Sequence, residues 1–327
     1  MSDVIKGLIA CVIDEDIVRA IDNGRRSGRA AADWFVLRTL RRLGANVKVV
    51  AAVERDSRTI EELIRLKPRL AVNLAFCSLA SEPSFAGALE TLGIPYTGSG
   101  PVGIGLANDK VRSRRLMATA GIPVPRFVEL PPADRPATID FSPPYFVKPA
   151  QSGNSVGVCT GSLVDTFELA LKQADRIWRT LDDSAVCDQF IAGREFHAGL
   201  IENARGEFKT TGIIELRFAG ARAGRGFSTQ VSKVNGKDRR AYRVRCRRAS
   251  LTARKSRELT NTAVDVARLL QLRGYAKIDF RMDDDERITV IEANPNPALW
   301  NGEIWQRPSF ELNLQRIMRA ALRKADE

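Results

Sequence analysis

The sequence predicts an α/β domain followed by an α+β remainder, and three observations predict it. Across roughly the first 100 residues, short apolar strands alternate with helical stretches, the arrangement that builds a parallel sheet. Beyond them Pro and Gly punctuate the chain, most densely in "PPADRPATIDFSPP" (131–144), which reads as a loop. Toward the C-terminus, apolar runs are joined by short polar turns, as in antiparallel strand pairs.

Taken in order, "MSDVIKGLIACVIDED" turns acidic too soon for a secretory signal and reads as a first buried strand. "AAADWFVLRTLRRLGANVKVVAAV" gives an amphipathic helix, a turn at Gly44 and a strand. "TIEELIRLKPRLAVNLAF" repeats helix, turn at Pro68 and strand, and "FAGALETLGIPYTG" adds a helix ending near Gly93. "ANDKVRSRRLMATAGIPVPRFVEL" is a helix stopped by Gly121, then a strand spaced by prolines. "YFVKPAQSGNSVGVCTG" reads as strand, Gly/Ser loop, strand. "LVDTFELALKQADRIWRTL" carries apolar residues at helical spacing. "SAVCDQFIAGREFHAGLIEN" and "YAKIDFRMDDDERITVIEANPNP" each read as an antiparallel pair. A closing amphipathic helix places Leu312, Ile317 and Leu322 inward.

Of 327 residues, 44% are hydrophobic and 28% charged, as in a soluble globular protein. No apolar run approaches the ~18–20 residues of a membrane span, so a cytoplasmic protein with no membrane partner is expected. Five scattered cysteines without a C-x-x-C pair read as buried, reduced thiols rather than a disulfide framework or zinc site. The only histidine, His197, excludes mechanisms needing two, and reads as structural. The net charge of +12 is concentrated in "KDRRAYRVRCRR" (237–248), with more in 110–115 and 24–29. Such patches either form a solvated face or attract nucleic acid, acidic peptides or nucleotide phosphates. Arginines alternating with Tyr242, Val244 and Cys246 fit a strand with one solvated face. Stacking aromatics are nearly absent, which argues against single-stranded nucleic acid.

Chemistry concentrates near the C-terminus. Asp279 interrupts an apolar strand, and Glu292 and Asn294 share one face of the next. A hairpin through "DDDE" brings the three oxygen donors together. Such a set suits Mg²⁺, or its carboxylates pair with arginines. Lys148 ends an apolar strand before the loop "QSGNSVG", a pattern that suits a phosphate cradle, and Lys110 opens a helix. No Walker A pattern occurs. Gly98, Gly100 and Gly103 have G-x-G-x-x-G spacing, but they close the first domain instead of opening its first βαβ unit. "GSGPVG" therefore reads as a turn and helix entry with Ser99 as N-cap, and not as a NAD site.

The order of "LGIPYTGSG", "NDK", "GIPVP", "VKPAQSGNSVGV", "GREF", "KID" and "IEANPNP" resembles the ATP-grasp superfamily, and within it the D-alanine–D-alanine ligase-like branch. The resemblance runs from about residue 85 to 300. It implies an α/β N-terminal domain plus two α+β domains, at 1–99, 100–187 and 188–327. The nucleotide cleft lies between the central and C-terminal domains. It implies ATP, Mg²⁺ or Mn²⁺, and small carboxylate and amine substrates such as amino acids or small peptides, often in a homodimer. Lys110 and Lys148 match the ATP-phosphate lysines, and the loop 151–157, with Gly153, Ser155 and Val156, matches the lid. Asp188 and the backbone of Gln189 and Ile191 match the adenine hinge, and Glu195 the ribose glutamate. Asp279, Glu292 and Asn294 match the metal ligands, and Lys233 the lysine that reaches the γ-phosphate. Ala298 stands where a backbone N–H serves the oxyanion hole.

Departures cluster at the amino-acid end. Lys277 replaces an arginine two residues before the metal aspartate, so the charge is kept but the bidentate fork is lost. Asn154 stands for the lid serine and Val234 for a tyrosine, "NLAFCS" replaces the H-G pair, and the N-terminal glutamate has no clear match among Asp14, Glu15 and Asp16. ATP and metal positions are kept while substrate positions change. The expectation is a ligase of the same chemistry on different amino acids. The alternatives are a D-alanine–D-alanine ligase proper and a non-catalytic basic binding protein.

Overall fold

The computed structural model describes residues 6–25, 28–53, 56–75, 81–151, 153, 155–203, 205–221, 224–229, 243–299 and 309–326. Three sheets organise them. The first contains β1 (Leu8–Asp14), β2 (Asn46–Ala52) and β3 (Leu70–Asn73) in the order β2-β1-β3, all parallel. Around it pack α1 (Glu15–Asp22), α2 (Gly28–Arg42), α3 (Arg58–Leu66) and α4 (Ser81–Thr91). Val12, Ala71, Leu63 and Leu89 form one side of this core, and Cys11, Val72, Leu37 and Leu40 the other. Burial on both faces explains why β1 and β3 read as continuous apolar runs instead of alternating ones.

Two helices, α5 (Pro101–Asn108) and α6 (Lys110–Thr119), lead to an antiparallel sheet. It contains β4 (Phe127–Leu130), β5 (Tyr145–Pro149), β6 (Leu163–Val164) and β7 (Ala185–Gln189) in the order β4-β7-β5-β6. The helix α7 (Phe167–Leu181) buries Ala170, Ala174 and Ile177 against Val147 and Cys187. The third sheet is antiparallel and contains β8 (Arg194–Glu202), β9 (Phe208–Ala219), β10 (Arg243–Arg248), β11 (Tyr275–Met282) and β12 (Ile288–Asn294). Its order is β10-β9-β8-β11-β12. Beneath it, α8 (Ala253–Leu269) packs Leu259, Ala263 and Val266 on Phe196, Ile278 and Phe280. Because side chains alternate across a strand, Glu195, His197, Lys277, Asp279 and Arg281 all occupy the opposite face. The helix α9 (Phe310–Asp326) closes the described chain.

Five expectations are corrected. The stretch "SAVCDQFIAGREFHAGLIEN" is not a strand pair: β7 has β4 and β5 on its two edges, so β8 joins the third sheet after a crossing at 190–193. The strand after the Gly/Ser loop is only the two-residue β6, reached through a 3-10 turn at Thr160–Ser162. Ser99 is no N-cap, because Gly100 caps α5 and Pro101 supplies its first turn. On α9 the inward line is Phe310, Leu314, Ile317, Met318 and Ala321, with Leu312 at the margin. Cys11 and Cys187 are buried free thiols, but Cys246 is exposed because β10 is an edge strand, and Cys159 is half-buried.

The three motif glycines form a packing face. A Cβ at Gly98 would lie 2.1 Å from Asn296 Oδ1, at Gly100 2.3 Å from an Arg273 nitrogen, and at Gly103 2.6 Å from the Gln271 carbonyl oxygen. The spacing serves close approach between the first layer and the third sheet's connections, not a dinucleotide.

Candidate functional site

The β11–β12 hairpin sets the site. Its register pairs Asp279 with Glu292 and Lys277 with Asn294, so all four meet on one face. Lys277 Nζ lies 2.7 and 2.6 Å from the two Asp279 oxygens, and Asn294 Nδ2 donates to Asp279 Oδ2 at 3.2 Å. Among the described residues the ion pairs form with lysines, not with the arginines considered from the sequence: Lys277 pairs with Asp279, and Lys110 Nζ is 3.8 Å from Glu292 Oε1.

One irregularity joins the two sheets. The register shifts between Asp279 and Phe280, which leaves Ile291 outside the ladder. Its carbonyl accepts Arg114 Nη2 at 3.2 Å and Lys148 Nζ at 3.4 Å. Arg114 is 1% exposed and grips Asp188 with both guanidinium arms, the Nη2–Oδ2 bond being 2.8 Å. Lys148 Nζ lies 3.6 Å from the same carboxylate. Burial holds the Lys110 ammonium down at about 8, against the pull of Glu292. Burial likewise lowers Lys148, helped by Arg114 and opposed by Asp188. Burial desolvates both ammonium groups, and an incoming anion would relieve them.

A second group lies along β8. Glu195 is buried, which pushes its pKa up, but the His197 hydrogen bond and the charges of Arg281 and Lys277 together hold it below the ordinary value. Arg281 donates to the carbonyls of Gly226, Gly224 and Gly193 at 2.8, 2.7 and 3.1 Å. His197 Nε2 stands 3.5 Å from Glu195 Oε1 and 3.6 Å from Asp279 Oδ1, while its buried Nδ1 has no hydrogen-bond partner among the described residues. The expectation of a satisfied structural histidine is therefore corrected. Beside this row Phe146, Phe190 and Phe227 form an apolar cluster, with ring centroids 5.0 and 6.0 Å from Phe146.

The structure thus brings Lys110, Lys148, Asp188, Glu195, Lys277, Asp279, Glu292 and Asn294 into one charged seam between the second and third sheets. Gln189 ends β7 with its N–H given to the Arg126 carbonyl, and Ile191 lies in the crossing to β8. Gly153, Ser155 and Val156 form consecutive turns, with Ser155 at φ +60°. Ala298 is half-buried just beyond β12. Lys233, Asn154 and Val234 lie outside the described residues. Sequence reasoning missed Arg114, one of four basic residues in "KVRSRR", and the three phenylalanines, whose only signal was their position beside site residues.

Asp279, Glu292 and Asn294 supply hard oxygen donors from two paired strands, the donor chemistry that suits Mg²⁺. The lysines on both carboxylates show a negative site already seeking cations. Among the described residues no group of three His, Cys, Asp or Glu has metal-holding geometry. The fit therefore needs the Asn294 amide oxygen or phosphate oxygens to complete it.

A parallel-sheet layer followed by two antiparallel sheets that face each other across cations and acids is an ATP-grasp architecture. Residues 116–305 match the family described as D-ala D-ala ligase C-terminus. The D-alanine–D-alanine ligase B of Chromobacterium violaceum is 30% identical over 233 residues, covering 69% of this chain and 70% of that one. The D-alanine–D-alanine ligase of Azorhizobium caulinodans is 30% identical over 258 residues, with 76% and 78% covered. The crystal structure of the Bacillus anthracis D-alanine–D-alanine ligase superposes with a TM-score of 0.76 at 19% identity, covering 98% of each chain. Its ATP complex gives 0.72 at 18% identity, covering 98% of this chain and 99% of that one. The chain belongs to the D-alanine–D-alanine ligase family, and so to the ADP-forming ATP-grasp ligases that make carbon–nitrogen bonds. Among the described residues no helix is long and apolar enough to cross a membrane.

Proposed function

We propose that this chain ligates an amino-acid carboxylate to an amine at the expense of ATP, on a substrate pair other than two D-alanines. The observation that carries the ligase part is the seam itself, where five buried cations face four carboxylates: Lys110, Lys148, Arg114, Lys277 and Arg281 against Asp188, Glu195, Asp279 and the half-buried Glu292. The carboxylate oxygen attacks the γ-phosphorus and the bond to ADP breaks. The amine nitrogen then attacks the acyl carbon, phosphate leaves, and the amine gives up a proton.

The residues act mainly by charge and position, which dominate phosphoryl transfer. Lys110 and Lys148 neutralise phosphate oxygens, and the Arg114–Asp188 clamp holds Lys148 in place. The phenylalanine cluster offers the base an apolar bed, and Glu195 on the same side reaches the ribose. Asp188 acts by positioning Lys148, since its carboxylate already serves Arg114 and Lys148. Asp279, Glu292 and Asn294 would hold Mg²⁺, which would neutralise phosphate charge when bound. Lys277 and the Ala298 N–H serve the developing oxyanion, Gly153, Ser155 and Val156 cover the phosphates, and Lys233, outside the described residues, is the lysine proposed to reach the γ-phosphate. The proposed divisions are at residues 99 and 187; the chain leaves the second sheet at Gln189 and enters the third at Arg194, so the second division falls two residues before the end of β7.

The different substrate pair is supported by Lys277, a point charge where a fork is usual, and by the altered residues at 154 and 234. Joining two D-alanines is the second reading, supported by the names of the relatives. ADP release across D- and L-amino acids and dipeptides, with Asp279→Ala as control, tests both. Turnover lost in the variant supports the ligase, and ADP release that survives it contradicts the site.

A further inference from the structure

The turn that follows β12 carries Asn294 at one end and Ala298 at the other, yet its anchors lie in the first layer of the molecule. Asn296, 6% exposed, sits at its centre between Pro295 and Pro297. Its Nδ2 donates to Glu82 Oε1 at 2.8 Å, and its Oδ1 accepts the Ser99 N–H at 2.9 Å. Ser99 Oγ donates to the Pro295 carbonyl at 3.0 Å and accepts the Arg273 N–H at 3.1 Å. Gly98, at φ +101°, has no Cβ to collide with the Asn296 amide.

Glu82 is the unexplained member. It lies in the first turn of α4, 8% exposed, and none of the described residues forms an ion pair with it. Its other oxygen accepts Asn108 Nδ2 at 2.9 Å. A buried carboxylate whose hydrogen bonds come only from neutral amides is expensive for packing alone; burial raises its pKa against those two amide bonds, while the charges of Asp14 and Arg29 nearby act in opposite directions.

We propose that Glu82 is a positioning residue, which through Asn296 fixes the turn that presents Asn294 and the Ala298 N–H to the reacting groups. Two residues of "YTGSG" then contribute to that turn: Gly98 admits Asn296, and Ser99 binds Asn296 Oδ1 and the Pro295 carbonyl, while Glu82 holds Asn296 from α4. This links the first sheet's layer to the hairpin without touching the nucleotide lysines. The inference rests on Asn294 being a metal-side residue of the proposed ligase.

The test is the Mn²⁺ affinity of the ADP complex, read from the paramagnetic signal of free Mn²⁺ during titration. Asn296→Ala and Glu82→Gln are expected to weaken Mn²⁺ about tenfold, as losses beyond the ligand shell do, while metal-free ADP affinity stays within about threefold. Asn108→Ala removes the other bond to the same carboxylate and is expected to keep the parental metal affinity. If Glu82→Gln does not fold, Asn296→Ala carries the test. Parental Mn²⁺ affinity in folded Asn296→Ala overturns the proposal, as does an equal loss in Asn108→Ala. A parent that binds Mn²⁺ with ADP but forms no amide defeats the ligase reading and leaves the difference between variants as support.

Discussion

The seam between the second and third sheets and the carboxyl edge of the first sheet are both crowded with buried charge, but with opposite excess. In the seam, cations outnumber acids, and burial lowers the pKa of Lys110 and Lys148. At the edge, Asp14, Asp33 and Glu82 surround Arg29, and burial raises Asp33 to about 7 and also raises Glu82. The difference separates two uses of buried charge. An excess of dry cations is a site prepared for a polyanion, whereas the acids at the edge are tied to Arg29, Asn108 and Asn296. They hold elements together.

Four variants probe that contrast. Arg114→Leu leaves Asp188 buried against Lys148 alone and is expected to cost about 3–5 kcal/mol of stability in urea unfolding. A loss within surface-mutation range would mean the clamp is not buried as described. Asp279→Ala is expected to lower ADP release by about 10²–10³-fold, read where circular dichroism shows the variant folded, because it also leaves Lys277 buried without its carboxylate and is destabilised. Gly98→Ala places a Cβ against Asn296 at a positive φ and is expected to destabilise by about 1–3 kcal/mol.

The smallest effect is a pH slope at the edge. The folded pKa of Asp33, about 7, is above its ordinary value of 3.8, so the folded protein binds more protons between them. Its contribution to stability is therefore greatest at the acid end and declines as pH rises toward 7. Asp33→Asn removes that decline, so its melting temperature should gain on the parent across this window. Parallel melting curves would show that Asp33 ionises in the folded state as it does unfolded.

The hairpin with Asp279, Glu292 and Asn294 was legible because polar residues breaking an apolar strand declare their face, and a short acidic turn fixes the partner. Lys148 was legible as a cation ending an apolar run. The sheet that each strand joins was not: β7 and β8 look alike locally, and only the filled edges of β7 send β8 elsewhere. The Ile291 irregularity depends on pairing across two strands, so no single stretch encodes it. Arg114 and Glu82 escaped notice because each lies among ordinary helix-surface charges and acquires its role from residues at least 74 and 26 positions away. His197 is a residue whose character follows from its neighbours on β11.

Whether a ligase of this family here joins a different substrate pair is read most directly from the mass of the amide formed. The enzyme would be given ATP, Mg²⁺ and an equimolar mixture of D- and L-amino acids and dipeptides containing D-alanine. The expected result is an ATP-dependent product containing at least one component other than D-alanine, absent with Asp279→Ala. A product consisting of D-alanyl-D-alanine alone would overturn the proposed substrate pair.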